Sequence, residues 1–187
     1  FTNIILIGFM GSGKSTISKY IDRVSRFNML DMDHVIEKKE QMTIPDIFKQ
    51  KGEDYFRTIE SNLCQSLHKL ENCLISTGGG IVNSDQNCRQ LKSTGVIVWL
   101  NMDKSILTNR LSSTNNSRPL LEGKSQEDIM DLFEQRNKIY SRIADITIDI
   151  NGHTVCDVGQ FVIKRFYEYL KEHLSEKQIQ DYLDTVK

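Results

Sequence analysis

Gly8-Phe9-Met10-Gly11-Ser12-Gly13-Lys14-Ser15 places three glycines, a lysine and a hydroxyl in the spacing G-x-x-x-x-G-K-[ST]. Glycines let a backbone curl until successive N–H groups point inward, and a helix beginning at the end of the curl adds partial positive charge. That combination holds phosphate. Lys14 then reaches the outer phosphates of a nucleoside triphosphate as a point charge, and Ser15 offers its hydroxyl to Mg²⁺. Gly11, Ser12, Gly13 and Thr16 complete the expected cradle around ATP. A bare glycine-rich turn is the plain alternative, but here the motif follows an apolar run and opens a helical one.

A second group of acids follows in Leu30-Asp31-Met32-Asp33, at the end of the next apolar run, where open α/β sheets bind ligands. On an extended backbone a spacing of two sends both side chains to one face. Asp31 is then placed to approach the metal through a water, and Asp33 to meet and deprotonate an acceptor hydroxyl. Asp33 equally fits a second role, capping a helix that runs through Val35 and Ile36. His34 reads as a surface helix residue. The third apolar run, Leu74-Ile75-Ser76, ends in Thr77-Gly78-Gly79-Gly80 without the carboxylate of switch-type NTPases, and no N-K-x-D for guanine occurs. These features favour a small-molecule kinase over a GTPase or an ATPase.

Short apolar runs alternating with helical periods must position these residues, the pattern of an α/β domain around a parallel sheet. Strands are expected at Asn3–Ile7, Phe27–Asp31, Cys73–Thr77, Gly95–Leu100 and Asp145–Ile150. Helices are expected at Lys14–Arg26, in pieces over Met32–Lys69, and at Ser84–Ser93, Asp103–Leu111, Ser125–Ala144 and Val155–Leu174. Thr43 with Pro45 marks a helix start, and Gly52 punctuates. Ser112–Ser117 is a polar run without apolar period, and Ser175–Lys187 is polar with weak helical spacing and no assigned role. Residues 1–174 read as one domain.

The 187 residues suffice for one buried core, and 39% hydrophobic with 26% charged residues is ordinary for a soluble domain. A net charge of −1 gives no overall electrostatic case for a nucleic-acid or membrane partner. Cys64, Cys73, Cys88 and Cys156 form no C-x-x-C pair, so reduced thiols and a cytoplasmic location are expected. Phe1–Ile7 lacks the basic start and cleavage site of a signal peptide, and no apolar stretch is long enough to span a bilayer.

Taken together, the sequence resembles the shikimate kinase family, within the P-loop kinases of nucleoside-monophosphate-kinase type. The resemblance covers about Ile4 to Phe166. It rests on Gly8–Ser15, Asp31-Met32-Asp33 with Ile36-Glu37, Gly52 through Glu60, Ser76 through Gly80, Arg118-Pro119-Leu120-Leu121, and Arg136 through Tyr140 to Ala144-Asp145. It implies a three-layer α/β/α fold with a five-stranded parallel sheet and a mobile lid at about 112–124. It also implies shikimate as acceptor, ATP as donor and Mg²⁺ as cofactor, in a monomer. Arg57 and Arg136 match the arginines that bind the acceptor carboxylate, a natural match because guanidinium donates two parallel bonds. Glu60, one turn beyond Arg57, is suited to hold it. Gly78, Gly79 and Gly80 let backbone approach the acceptor ring and offer N–H donors. Arg118 matches the lid arginine, whose closure brings charge onto the phosphoryl group and excludes water. Arg110 matches a position near adenine. Three departures stand out. The loop Asn151-Gly152-His153 lacks the arginine often found near adenine, the tail from Ser175 runs past the usual closing helix, and the chain starts directly on its first strand, as a piece of a longer protein would. Two other readings stay open: another small-metabolite or nucleotide kinase of the superfamily, such as a gluconate kinase, and a nucleotide-binding regulatory module without catalysis.

Overall fold

A computed structural model of the chain describes residues 3–113 and 123–185. Five parallel strands form one sheet: β1 (Asn3–Ile7), β2 (Asn28–Asp31), β3 (Cys73–Ser76), β4 (Gly95–Asn101) and β5 (Ile146–Asp149), in the order β2-β3-β1-β4-β5. Ile5 sits between Ile75 and Ile97, and all of β1 is buried, which is why its sequence is a continuous apolar run rather than an alternating one. β5, at one edge, alternates buried and exposed residues instead.

Helices cover both faces. α1 (Lys14–Val24) packs on α8 (Val155–His173); α4 (Glu53–Ser66) packs on α5 (Asp85–Thr94). α2 (Met32–Glu40) and α3 (Ile44–Lys51) precede α4, and α6 (Lys104–Ser113) and α7 (Gln126–Ile143) join β4 to β5. The sheet is therefore the five-stranded α/β/α arrangement expected from the sequence. Capping residues set several helix starts: Thr43 accepts from the Asp46 N–H before α3, and Ser125–Asp128 and Thr154–Asp157 form capping boxes before α7 and α8.

Two cores divide the labour. The larger lies on the sheet and includes Ile4, Leu6, Ile75, Val98, Phe133 and Phe166. A smaller one gathers Ile36, Ile47 and Phe56 between α2, α3 and α4, with the Phe48 and Phe56 rings 4.9 Å apart. The three short helices thus hold each other, and carry Asp33 and Arg57 as a unit beside the sheet.

One expectation needs correction. Asp31 and Asp33 do not share a strand face, because the strand ends at Asp31 and α2 begins at Met32. Asp31 is the helix cap, accepting from the Asp33 and His34 N–H groups, so the capping role weighed for Asp33 belongs to its neighbour. The tail, whose helical spacing is weak in sequence, forms a helix at Glu176–Thr185, α9, started by Ser175 and Gln178 and docked on the core through the buried Tyr182. Most of the expected lid segment, and Arg118 with it, lies outside the described residues. Among the described residues no helix is long and apolar enough to cross a membrane.

Candidate active site

The connections leaving β1 and β3, neighbours in the sheet, run to opposite sides, since β1 leads to β2 at one edge and β3 to β4 beyond β1. Such a switch point opens a crevice at the strands' carboxyl ends. Three loops meet there. Asp31 pairs in register with Ser76, and Ser76 with Leu6, so the acidic turn, the triple glycine and the glycine-rich loop leave the sheet at one level.

The glycine-rich loop has the geometry its spacing implies. Gly8, Gly11 and Gly13 have φ of 152°, 85° and 88°, conformations that disfavour side chains. A Cβ on Gly8 would lie 2.9 Å from the Leu100 carbonyl oxygen. α1 starts at Lys14 without a side-chain cap and without an acid in its first turn, leaving its N–H groups and positive end available to an anion. The buried Lys14 Nζ donates to the carbonyls of Gly8 (2.7 Å) and Phe9 (3.2 Å), and to Ser12 Oγ at 3.4 Å. Thr16 is exposed on the first turn of α1. Ser15 Oγ donates to Asp31 Oδ2 at 2.7 Å, which brings the two expected metal partners together. A hydroxyl and a carboxylate suit Mg²⁺, which binds few protein oxygens and keeps waters and phosphate as its other ligands. Among the described residues no three His, Cys, Asp or Glu side chains gather into a fuller metal cage.

On the other side of the crevice lie Asp33, Arg57, Glu60 and Arg136, brought together around Gly78-Gly79-Gly80. Arg57 Nη1 donates to Glu60 Oε2 at 2.8 Å, and its Nη2 to Glu53 Oε1 at 3.2 Å. Both acids lie one turn away on α4. Glu53 was not singled out from the sequence, although its i, i+4 spacing to Arg57 could have revealed it. The triple glycine is packed from three directions. A Cβ on Gly78 would lie 2.9 Å from Glu60 Oε1 and 3.0 Å from Asp33 Oδ1, and one on Gly80 would lie 2.4 Å from the Arg57 guanidinium. One on Gly79 would sit 3.4 Å from Gly8 O and Met10 N, in the phosphate loop itself. The Gly79 carbonyl accepts bonds from Arg136 Nη1 (2.8 Å) and Tyr140 Oη (2.6 Å).

The electrostatics of this cluster are unbalanced. Glu60 is 1% exposed, and burial pushes its carboxyl above the usual range despite the adjacent Arg57. Burial, with Asp31 nearby, likewise raises Asp33, while Lys14 opposes the shift. Asp33 Oδ1 and Glu60 Oε1 are buried with no hydrogen-bond partner among the described residues. Arg136 is 7% exposed, and burial lowers its pKa. Among the described residues no carboxylate lies within the 4.0 Å of an ion pair from it. Among the described residues Arg57 is neutralised and Arg136 is not.

Arg110, expected near adenine, and His153, in the loop that lacks the arginine, each have their own contacts. Arg110 on α6 donates to the Gly11 carbonyl at the rim of the phosphate loop. His153 packs edge-on against Phe161, ring centroids 5.0 Å apart.

A parallel sheet in this order, with a phosphate loop after β1 and a charged cluster facing it, defines a P-loop kinase of the nucleoside-monophosphate-kinase type. The family model described as shikimate kinase matches residues 10–179. The shikimate kinase of Persephonella marina is 39% identical over 87% of this chain and 98% of its own length. That of Caldanaerobacter subterraneus subsp. tengcongensis is 38% identical over 88% of this chain and 95% of its own. The solved shikimate kinase from Acinetobacter baumannii in complex with shikimate superposes with a TM-score of 0.84 at 31% identity, covering 94% of this chain and 96% of that one. The chain belongs to the shikimate kinase family.

Proposed function

We propose that this chain transfers the γ-phosphoryl group of ATP to the 3-hydroxyl of shikimate, giving shikimate 3-phosphate and ADP. The observation that carries the substrate is the buried Arg136, which pairs with no carboxylate among the described residues and faces a phosphate loop across Gly79. A buried cation without a counter-ion is costly, and an organic acid in the crevice supplies what the described residues withhold. Arg57, already held by two acids, offers its remaining N–H groups in a fixed plane.

With the carboxylate gripped, Asp33 orients the acceptor hydroxyl and accepts its proton as the oxygen attacks phosphorus. The bond from phosphorus to the β–γ bridging oxygen breaks, and ADP departs with that oxygen. Burial raises the Asp33 pKa toward the range where general bases work well. Lys14 moves its ammonium from loop carbonyls to phosphate oxygens, with Gly11, Ser12, Gly13 and Thr16 completing the cradle. Ser15 and Asp31 would hold Mg²⁺, which would supply positive charge to offset that of the phosphates. Arg118, in the proposed lid, adds a second positive charge to the phosphoryl group, and Arg110 lies toward the adenine. Residues 1–174 form the catalytic unit in this proposal, a cytoplasmic monomer, with 175–187 as an appended segment.

A coupled assay of ADP release tests the substrate directly. Release is expected with shikimate and to remain at the no-acceptor level with gluconate, AMP, CMP or UMP. Turnover with any of the latter would overturn the assignment, and ATP binding without acceptor-dependent release would mark a regulatory module.

Gly80 gives a second test. An added methyl at this position meets the tip of the Arg57 side chain rather than backbone, so the fold can absorb it by moving the guanidinium. Gly80→Ala is therefore expected to leave the Tm within a few degrees of wild type while raising KM for shikimate about 3- to 10-fold, the scale of a displaced hydrogen-bonding partner. An unchanged KM would show that Arg57 does not contact the acceptor.

A further inference from the structure

We propose that Tyr140 is a positioning residue for the transfer reaction, acting on Arg136 through the carbonyl of Gly79. The claim rests on the substrate reading above, because it concerns the residue that reading assigns to the acceptor carboxylate.

Tyr140 is 0% exposed, and its ring packs near that of Trp99, 6.1 Å between centroids. Filling a core requires only the ring, and phenylalanine would do that without a polar atom to satisfy. The hydroxyl of a buried tyrosine needs a partner, and this one spans 61 residues of sequence to donate to Gly79 O at 2.6 Å. Arg136, four residues earlier on the same face of α7, donates to the same oxygen at 2.8 Å. A carbonyl oxygen has two lone pairs, and here both are committed. The Gly79 carbonyl is the protein acceptor that the described structure gives Arg136, so the oxygen's position sets the aim of the guanidinium.

The far end of Tyr140 is fixed as firmly. Its own carbonyl accepts from the Ala144 N–H at 2.9 Å, and the next residue, Asp145, exchanges two bonds with Ile97 of β4. Ile97 pairs with Ile5 of β1, the strand that leads into the phosphate loop. Gly79 in turn lies against Gly8 and Met10 of that loop. The phenol therefore ties the acceptor anchor to the same frame that carries the nucleotide, which keeps the hydroxyl and the γ-phosphorus in register. Burial also pushes the phenol pKa well up, so it remains a proton donor to the carbonyl at every working pH.

Tyr140→Phe retains the ring and removes only this bond. A core role alone would lower the Tm and leave the kinetics untouched. The positioning role predicts a KM for shikimate raised about 5- to 10-fold, the effect of one lost hydrogen bond, with KM for ATP within twofold of wild type. The same substitution introduced into an Arg136→Lys background is expected to add less than a further twofold, since the aim it controls is already lost. A lower Tm with unchanged KM for shikimate, or effects of the two substitutions that multiply, would overturn the proposal. Wild-type turnover separates the two failures. If shikimate elicits no ADP release from wild type, the substrate reading falls; if it does and Tyr140→Phe is kinetically normal, the positioning role falls.

Discussion

Asp33→Asn is expected to lower kcat by about 10²- to 10⁴-fold, the scale of a lost general base, while KM for ATP changes little. The substitution keeps the size of the side chain and its place in the first turn of α2, but the amide cannot accept the hydroxyl proton. A stability change of the opposite sign accompanies the loss. Folding raises the Asp33 pKa, chiefly by burial and then through Asp31, so the native state binds this proton more tightly than the unfolded chain does. The resulting stability is fully present below the ordinary aspartate range, about 3.9, and is lost as pH rises through the native pKa. At pH 7 the ionised group is thus a net burden. Asp33→Asn should raise the Tm at neutral pH, and the gap from wild type should close as the pH is lowered toward 4. The acid limb of kcat/KM should have its midpoint above the usual aspartate value in wild type and should vanish in the variant. Turnover within tenfold of wild type would assign the proton to another group.

How far such a site can be read from sequence depends on how local each feature is. Gly8–Ser15 encodes its own geometry, because positive φ at Gly8, Gly11 and Gly13 and an uncapped helix start need no distant residue. The parallel sheet is legible for the same reason: β1, β3 and β4 are buried along nearly their whole length and read as unbroken apolar runs. Asp31 and Asp33 were harder. Their spacing of two suggests a strand face, and only the helix beginning at Met32 turns Asp31 into a cap and Asp33 toward Gly78. The tail's helical spacing is weak on its own, but Ser175-Glu176-Lys177-Gln178 fits the S-x-x-[EQ] capping pattern and Ile179 with Tyr182 supplies the apolar spacing. What no local pattern carries is a missing partner. That Glu53 and Glu60 satisfy Arg57, and that nothing comparable among the described residues reaches Arg136, emerges only when residues 57 positions apart in the chain meet at Gly79.

That asymmetry between the two arginines makes Arg136→Ala the sharper probe of the acceptor pocket. Truncation removes a buried charge for which the described chain provides no ion pair, so the unliganded protein loses little stability and relieves a desolvation cost. Arg57→Ala would instead strand the buried Glu60, mixing a folding defect with a binding one. The bound state responds the other way. Removing one member of a desolvated charge pair costs about 2 kcal/mol or more, which is roughly a 30-fold rise in KM for shikimate. KM for ATP should stay near the wild-type value, because Lys14 and the uncapped start of α1 are untouched. Arg136→Lys should recover only part of the loss, as an ammonium lacks the paired, planar donors that match a carboxylate. A binding-induced rise in Tm gives a readout independent of catalysis: excess shikimate should stabilise wild type and leave Arg136→Ala unmoved. Equal stabilisation of both proteins would mean that the acid is gripped elsewhere, and the guanidinium beside Gly79, without an ion pair among the described residues, would then need a different anion.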